Sequence, residues 1–182
     1  MANRLPFRFL LSAALALSAW AAEEARPSPP FSMLRVNAPP LRFSQYRGKV
    51  VAVAFIQTTC GHCQQLTTEL NVIAREYAAR GVQVLECAFN DDSASAIPDF
   101  LERFRPPYPV GYSNASAVMA YLQYTIIDPR PLMVPQMVFI DRAGMIRAQF
   151  PGESEFFRNA GANVRAQLDR MLERGAAVRK KP

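Results

Sequence analysis

The sequence predicts one α/β domain built on a central mixed sheet flanked by helices, and three observations predict it. Two β-branched apolar runs, Lys49–Ile56 and Val82–Phe89, bracket a stretch whose apolar residues recur at helical spacing. A hairpin pattern follows far downstream, between Gln136 and Phe150. The 182 residues, 50% apolar and 20% charged, suit a single buried core rather than two domains or a disordered chain.

The elements can be justified in chain order. Arg4 and Arg8 precede an apolar run, Phe9 to Ala22, that is too short to span a bilayer comfortably as a helix. It ends in Ala19-Trp20-Ala21, small residues at the places a signal peptidase reads, so residues 1–21 are expected to be a secretory signal peptide. Left uncleaved, the same segment would tether the protein to a membrane. The mature protein is therefore expected in the periplasm or another extracytoplasmic space, where disulfides persist. Residues 22–40 are rich in proline and lack a hydrophobic period, which reads as an extended linker.

The domain proper is expected over residues 41–175. Lys49 to Ile56 is apolar throughout, as in a strand buried on both faces. From His62 to Arg80 the apolar residues Leu66, Leu70, Ile73 and Tyr77 line one face of a helix, which Gly81 stops. Val82 to Phe89 is a second strand, and a short strand–helix–strand unit makes the two strands parallel. Pro98–Phe104 reads as a short helix and Ala115–Tyr124 as another, capped by Asn114. Gln136–Ile140 and Met145–Phe150 form a hairpin across a turn ending in Gly144. Ser154 caps a last helix with the apolar stripe Phe157, Val164, Leu168 and Met171, and residues 176–182 are a solvated tail.

Charge and metal-ligand chemistry exclude several functions. The chain has 21 Lys+Arg and 15 Asp+Glu, a net charge of +6, scattered without long like-charged blocks. Nucleic-acid binding therefore has no support beyond the basic balance. One His and three Cys, with a single CxxC, leave too few ligands for a structural zinc site. Gln64 follows Cys63 where a c-type haem would require His.

The chemistry sits where the first strand turns into the first helix, at Thr58-Thr59-Cys60-Gly61-His62-Cys63. Cys60 falls at the helix N-terminus, where unpaired N–H groups favour negative charge, and the thiolate is the reactive form of cysteine. His62 adds a second positive partner, and Cys63 lies one turn further along. The pair is read as a redox-active disulfide in which Cys60 attacks a foreign disulfide and Cys63 resolves the adduct. Cys87 reads as a buried core thiol on the face shared with Leu85 and Phe89. Glu86 faces the other way and reads as a solvated strand-end carboxylate, with a buried acid as the alternative. Tyr108, Tyr112, Tyr121 and Tyr124 read as packing.

With these residues in hand, the chain resembles the thioredoxin superfamily, in particular its extracytoplasmic, TlpA-like redoxin branch, over about residues 41–172. The resemblance rests on Ser44–Val51, on Cys60-Gly-His-Cys63, and on Val134-Pro135-Gln-Met-Val-Phe-Ile-Asp141 with Gly144. It implies a thioredoxin-like fold with a helical insertion over residues 90–125 and a cis Pro135 beside Cys60 and Cys63. It further implies that the Val134 backbone hydrogen-bonds an extended substrate, that protein thiols and disulfides are the partners, that no organic cofactor is needed, and that a membrane electron donor can feed the pair. The chain departs from the family in three places: Thr59 stands where members carry Trp, Ala54 where they often carry a buried acid, and Leu66 where some carry Glu. The Gly-His dipeptide resembles that of disulfide isomerases, whose potentials lie roughly 90 mV above thioredoxin's.

Two other readings compete. A peroxiredoxin-type peroxidase places Pro and Thr seven and three residues before its cysteine, where this chain has Val53 and Gln57. A non-catalytic copper carrier would use Cys60, Cys63 and His62 as soft ligands, but such carriers have CxxxC and a distant second His.

Overall fold

The computed structural model describes residues 25–125, 127, 129 and 131–179. The expected signal peptide, residues 1–21, lies outside them. Eight strands form one mixed sheet: β1 (Arg26–Pro27), β2 (Ser32–Arg35), β3 (Ala38–Arg42), β4 (Val50–Ile56), β5 (Val82–Ala88), β6 (Val110–Tyr112), β7 (Gln136–Ile140) and β8 (Met145–Phe150). Their spatial order is β1-β8-β7-β4-β5-β6-β2-β3. β4, β5 and β6 run parallel and the remaining pairs are antiparallel.

Two cores follow from that sheet. β4 is buried at every position because both its faces are covered. On one face Ala52, Ala54 and Ile56 meet Leu66, Leu70 and Ile73 of α1 (Gly61–Tyr77), Ile97 and Phe100 of α2 (Ser93–Phe104), and Val164 and Leu168 of α4 (Ala160–Arg179). On the other face Val51, Val53 and Phe55 meet Met33, Phe43 and residues Val118 and Tyr121 of α3 (Ala115–Tyr121). α1 tightens into a 3-10 turn at Ala78–Arg80 and ends at Gly81, whose φ of 80° is a left-handed stop. Asn114 caps α3 by accepting from the Ala117 amide, and Ser154 accepts from the Phe156 amide to open a 3-10 turn before α4.

The proline-rich lead-in is not a linker. β2 and β3 form a hairpin across Val36 and Asn37, with Asn37 at a φ of 54°. Met33 and Leu41 are buried there. Pro39 and Pro40 lie on β3 at the sheet edge, where the pairing with β2 shifts register between Leu41 and Ala38, and proline is tolerated at such edges and bulges. Phe31 joins Phe43, Phe55 and Tyr121 in an aromatic cluster with centroids 4.9, 5.6 and 5.0 Å away. At the other end, α4 runs past residue 175 to Arg179.

The region 90–125 holds α2 and α3 with the short β6 between them. β6 carries Gly111, and a Cβ there would collide with the Leu34 carbonyl oxygen, so glycine lets β2 close onto it. Phe156, in the 3-10 turn Glu155–Asn159 that precedes α4, is buried, and Phe157 is half-buried against the same core.

Candidate active site

β4 delivers its C-terminal end to a loop pinned from several sides. The Thr58 amide donates to Asn90 Oδ1 at 3.0 Å, and Asn90 Nδ2 donates to Thr58 Oγ1 at 3.0 Å. Gln64 Nε2 donates to the Thr58 carbonyl at 2.8 Å, and the Cys60 amide to the Gln57 carbonyl at 3.1 Å. These bonds tie α1 and the end of β5 to the loop, so the cysteines are held by a rigid frame. Sequence reading missed Asn90 and Gln64, since short polar residues beside a strand end carry no signal until the strands are paired.

Cys60 occupies the N-cap of α1 in extended geometry, and its carbonyl accepts the Gln64 amide. It is half-buried, whereas Cys63 is fully buried beneath the first turn. The Cys60 side chain is close enough to act on the Cys63 thiol. Burial pushes the Cys63 thiol well up, a backbone hydrogen bond from Gln57 opposes it, and Cys60 and the charge of Glu86 push it further up. His62 is exposed at the second position of α1.

Pro135 is brought to the same end of the sheet. β4 and β7 are antiparallel with Phe55 opposite Gln136, so the residues before Gln136 flank the end of β4 that leads to Cys60. The Val134–Pro135 peptide bond is cis, Pro135 is buried, and Val134 is half-buried. Gln136 Nε2 donates to the Met133 carbonyl at 2.7 Å and braces the loop from inside. Met133 beside it is 47% exposed, which leaves an apolar side chain on the surface next to the site.

Glu86 corrects the reading of a solvated carboxylate: it is 0% exposed. Thr67 Oγ1 donates to Glu86 Oε1 at 2.7 Å and Tyr108 Oη to Glu86 Oε2 at 3.2 Å. Desolvation raises its carboxyl to about 7, and the two hydrogen bonds hold it below what burial alone would give. Its place between Val84 and Ala88 on the helix-facing side was the available signal. Tyr108 is thus a polar partner as well as packing. Cys87 is also buried, but it belongs to the opposite core from Cys63, across the sheet.

Among the described residues no group of three or more His, Cys, Asp or Glu is placed to hold a metal ion, and no helix is long and apolar enough to cross a membrane. A cavity of about 330 Å³ is lined by Phe31, Phe43, Tyr46, Val51 and Ile140 at the end of β4 away from Cys60, and neither cysteine nor Pro135 lines it.

Comparison with known proteins places this geometry. Residues 23–164 match the Redoxin family model. The fold is similar to a thiol:disulfide interchange protein of the thioredoxin family from Chlorobium tepidum, at 22% identity and TM-score 0.67, over 84% of this chain and 99% of that one. It is similar to a thiol:disulfide interchange protein from a Bacteroides species, at 15% identity and TM-score 0.64, over 82% and 90% of the two chains. The thioredoxin domain of a thiol-disulfide oxidoreductase from Bacteroides vulgatus matches at 15% identity and TM-score 0.61, over 78% and 95%. No curated protein sequence matches the chain. The match from residue 23 agrees with the strands that precede residue 41.

Proposed function

The chain belongs to the Redoxin family, and on that premise we propose that it is an extracytoplasmic thiol–disulfide oxidoreductase that exchanges disulfides with proteins through Cys60 and Cys63. The observation that carries this reading is the asymmetry of the pair. Cys60 is half-buried at the helix N-terminus, while Cys63, in the first turn of the same helix, is fully buried.

That asymmetry assigns the roles. A bulky substrate disulfide reaches only Cys60, whose sulfur attacks one substrate sulfur and releases the other as thiolate. Cys63 then attacks Cys60 Sγ, closes the Cys60–Cys63 disulfide and releases the second substrate thiolate. The reverse sequence oxidises a substrate dithiol. Val134 and the cis Pro135 flank the site, where the Val134 backbone offers hydrogen bonds to an extended substrate segment. His62 stands exposed at the second position of α1, and the Gly-His dipeptide resembles that of disulfide isomerases, which supports a role as oxidant or isomerase. Residues 1–21 direct the chain out of the cytoplasm, and a membrane electron donor would return the pair to its dithiol form.

Insulin-disulfide reduction tests the assignment. The parent protein accelerates it and C60S does not; C60S activity equal to the parent's would reject the reading. The same preparation in a peroxide-consumption assay separates it from a peroxidase, which would turn over peroxide far faster than a free thiol does.

A further inference from the structure

Gln136 follows Pro135 at the start of β7 and is 0% exposed. Its amide nitrogen donates to the Met133 carbonyl at 2.7 Å and to Tyr124 Oη at 3.3 Å. Its own oxygen, Oε1, is buried with no hydrogen-bond partner among the described residues. A buried acceptor without a partner costs stability, and a methionine of similar volume would fill the same space without that cost. Packing therefore does not account for this glutamine. What it does is hold the Met133 carbonyl.

That carbonyl belongs to the peptide group that joins Met133 to Val134. The bond is trans, so its C=O and N–H point from opposite edges of one plane. Gly152 fixes the plane itself. A Cβ there would stand 2.6 Å from the Met133 carbonyl carbon and 2.8 Å from both the Met133 oxygen and the Val134 nitrogen. Nearly equal distances to three atoms of one plane set Gly152 over its face, not at an edge. Gln136 holds the carbonyl edge towards Tyr124, which belongs with Val138 to one core. Cys63 belongs to the opposite core, against which Cys60 packs. The Val134 N–H thus faces away from Gln136, and it has no hydrogen-bond partner among the described residues.

We propose that Gln136 is the positioning residue of the substrate loop: by holding the Met133 carbonyl inward, it presents the Val134 N–H to a backbone carbonyl of the protein disulfide that Cys60 attacks. The inference rests on the dithiol reading above. Gln136 touches no substrate and acts through the peptide plane it orients. The group recognised is the extended backbone beside the disulfide. A small disulfide without such a carbonyl gains nothing from the arrangement.

Insulin reduction and exchange with dithio-bis-nitrobenzoate by Q136M test this, because methionine is close in volume and has no N–H to donate. Q136M should raise the KM for insulin about tenfold while kcat changes less than about threefold. Its exchange with the small disulfide should also change less than about threefold. Equal losses on the two substrates, or an insulin KM within about threefold of the parent's, overturn the proposal. Amide hydrogen exchange followed by NMR on C63S, with Gln136 in place, gives a test that does not depend on the folding of Q136M. The Val134 amide should exchange freely in the free protein and become protected once a single-cysteine peptide is joined to Cys60 as a mixed disulfide. A Val134 amide already protected before the peptide is added, or still unprotected afterwards, overturns the proposal. A parent that reduces neither disulfide overturns the dithiol reading itself.

Discussion

Glu86 lies directly beside Ala54, its register partner in the parallel pairing of β4 and β5. Residue 54 itself is apolar, and the neighbouring strand supplies a carboxyl to the same helix-facing side. Both residues contribute to the layer that α1 covers, and Thr67 of that helix donates to the carboxyl.

The buried acid should make stability depend on pH in an unusual direction. Its carboxyl is raised from an ordinary 4.5 to about 7, so the folded chain holds a proton that the unfolded chain has lost. Its favourable contribution is complete below about pH 4.5 and is lost as pH rises through about 7. E86Q should therefore gain stability relative to the parent between about pH 5 and pH 8, by on the order of 3 kcal/mol. Chemical denaturation at the two pH values measures this difference, and a pH-independent difference would place Glu86 elsewhere than in a desolvated pocket.

Removing either cysteine should give opposite results with a protein disulfide. C63S leaves Cys60 able to attack and unable to be displaced, so it should accumulate a mixed disulfide stable to non-reducing electrophoresis. C60S should form none, because Cys63 is buried. A substrate adduct on C60S would reverse the roles of the two thiols.

Cys87 should be inert in the folded state. It is fully buried in the core opposite to Cys63, and burial keeps its thiol protonated. Alkylation of the reduced native protein with iodoacetamide should modify Cys60 and leave Cys87 untouched until denaturant is added. Mass spectrometry of the peptides distinguishes the two, and rapid native labelling of Cys87 would contradict its placement.

Gly152 should control the substrate loop. A Cβ built there would stand 2.6 Å from the Met133 carbonyl carbon and 2.8 Å from the Val134 nitrogen, both rigid backbone atoms. G152A should destabilise the fold by about 1–3 kcal/mol through overpacking. It should also slow exchange with protein disulfides more than exchange with a small aromatic disulfide, which does not need the Val134 backbone. Equal losses on the two substrates would separate Val134 from substrate binding.

Much of this was legible in the residues because each local signal agreed with its tertiary setting. The buried run of β4, the stripe of α1 and the stop at Gly81 all follow from period and propensity alone. The CxxC at a strand-to-helix junction is legible in the residues, and the structure puts Cys60 at the N-cap of α1 and Cys63 in its first turn. The elements that escaped were those whose sense is supplied by partners. β2 and β3 read as a linker because proline is tolerated only on an edge, and the edge exists only once β6 is in place. β6 itself is three residues long with a glycine at its centre, too short for a periodic pattern. Glu86 is polar in an apolar run, and the hydroxyls that satisfy it come from Thr67 and Tyr108, 19 and 22 residues away.

The most direct test of the central claim is a redox titration of the protein in glutathione buffers, with free thiols counted by alkylation and mass spectrometry. Cys60 and Cys63 should lose their thiols together along one reversible two-electron curve while Cys87 remains free throughout. A midpoint near about −270 mV would mark a reductase and one near about −180 mV an oxidant or isomerase. A thiol count that stays at three across the whole range, or a curve that consumes Cys87, would contradict the account.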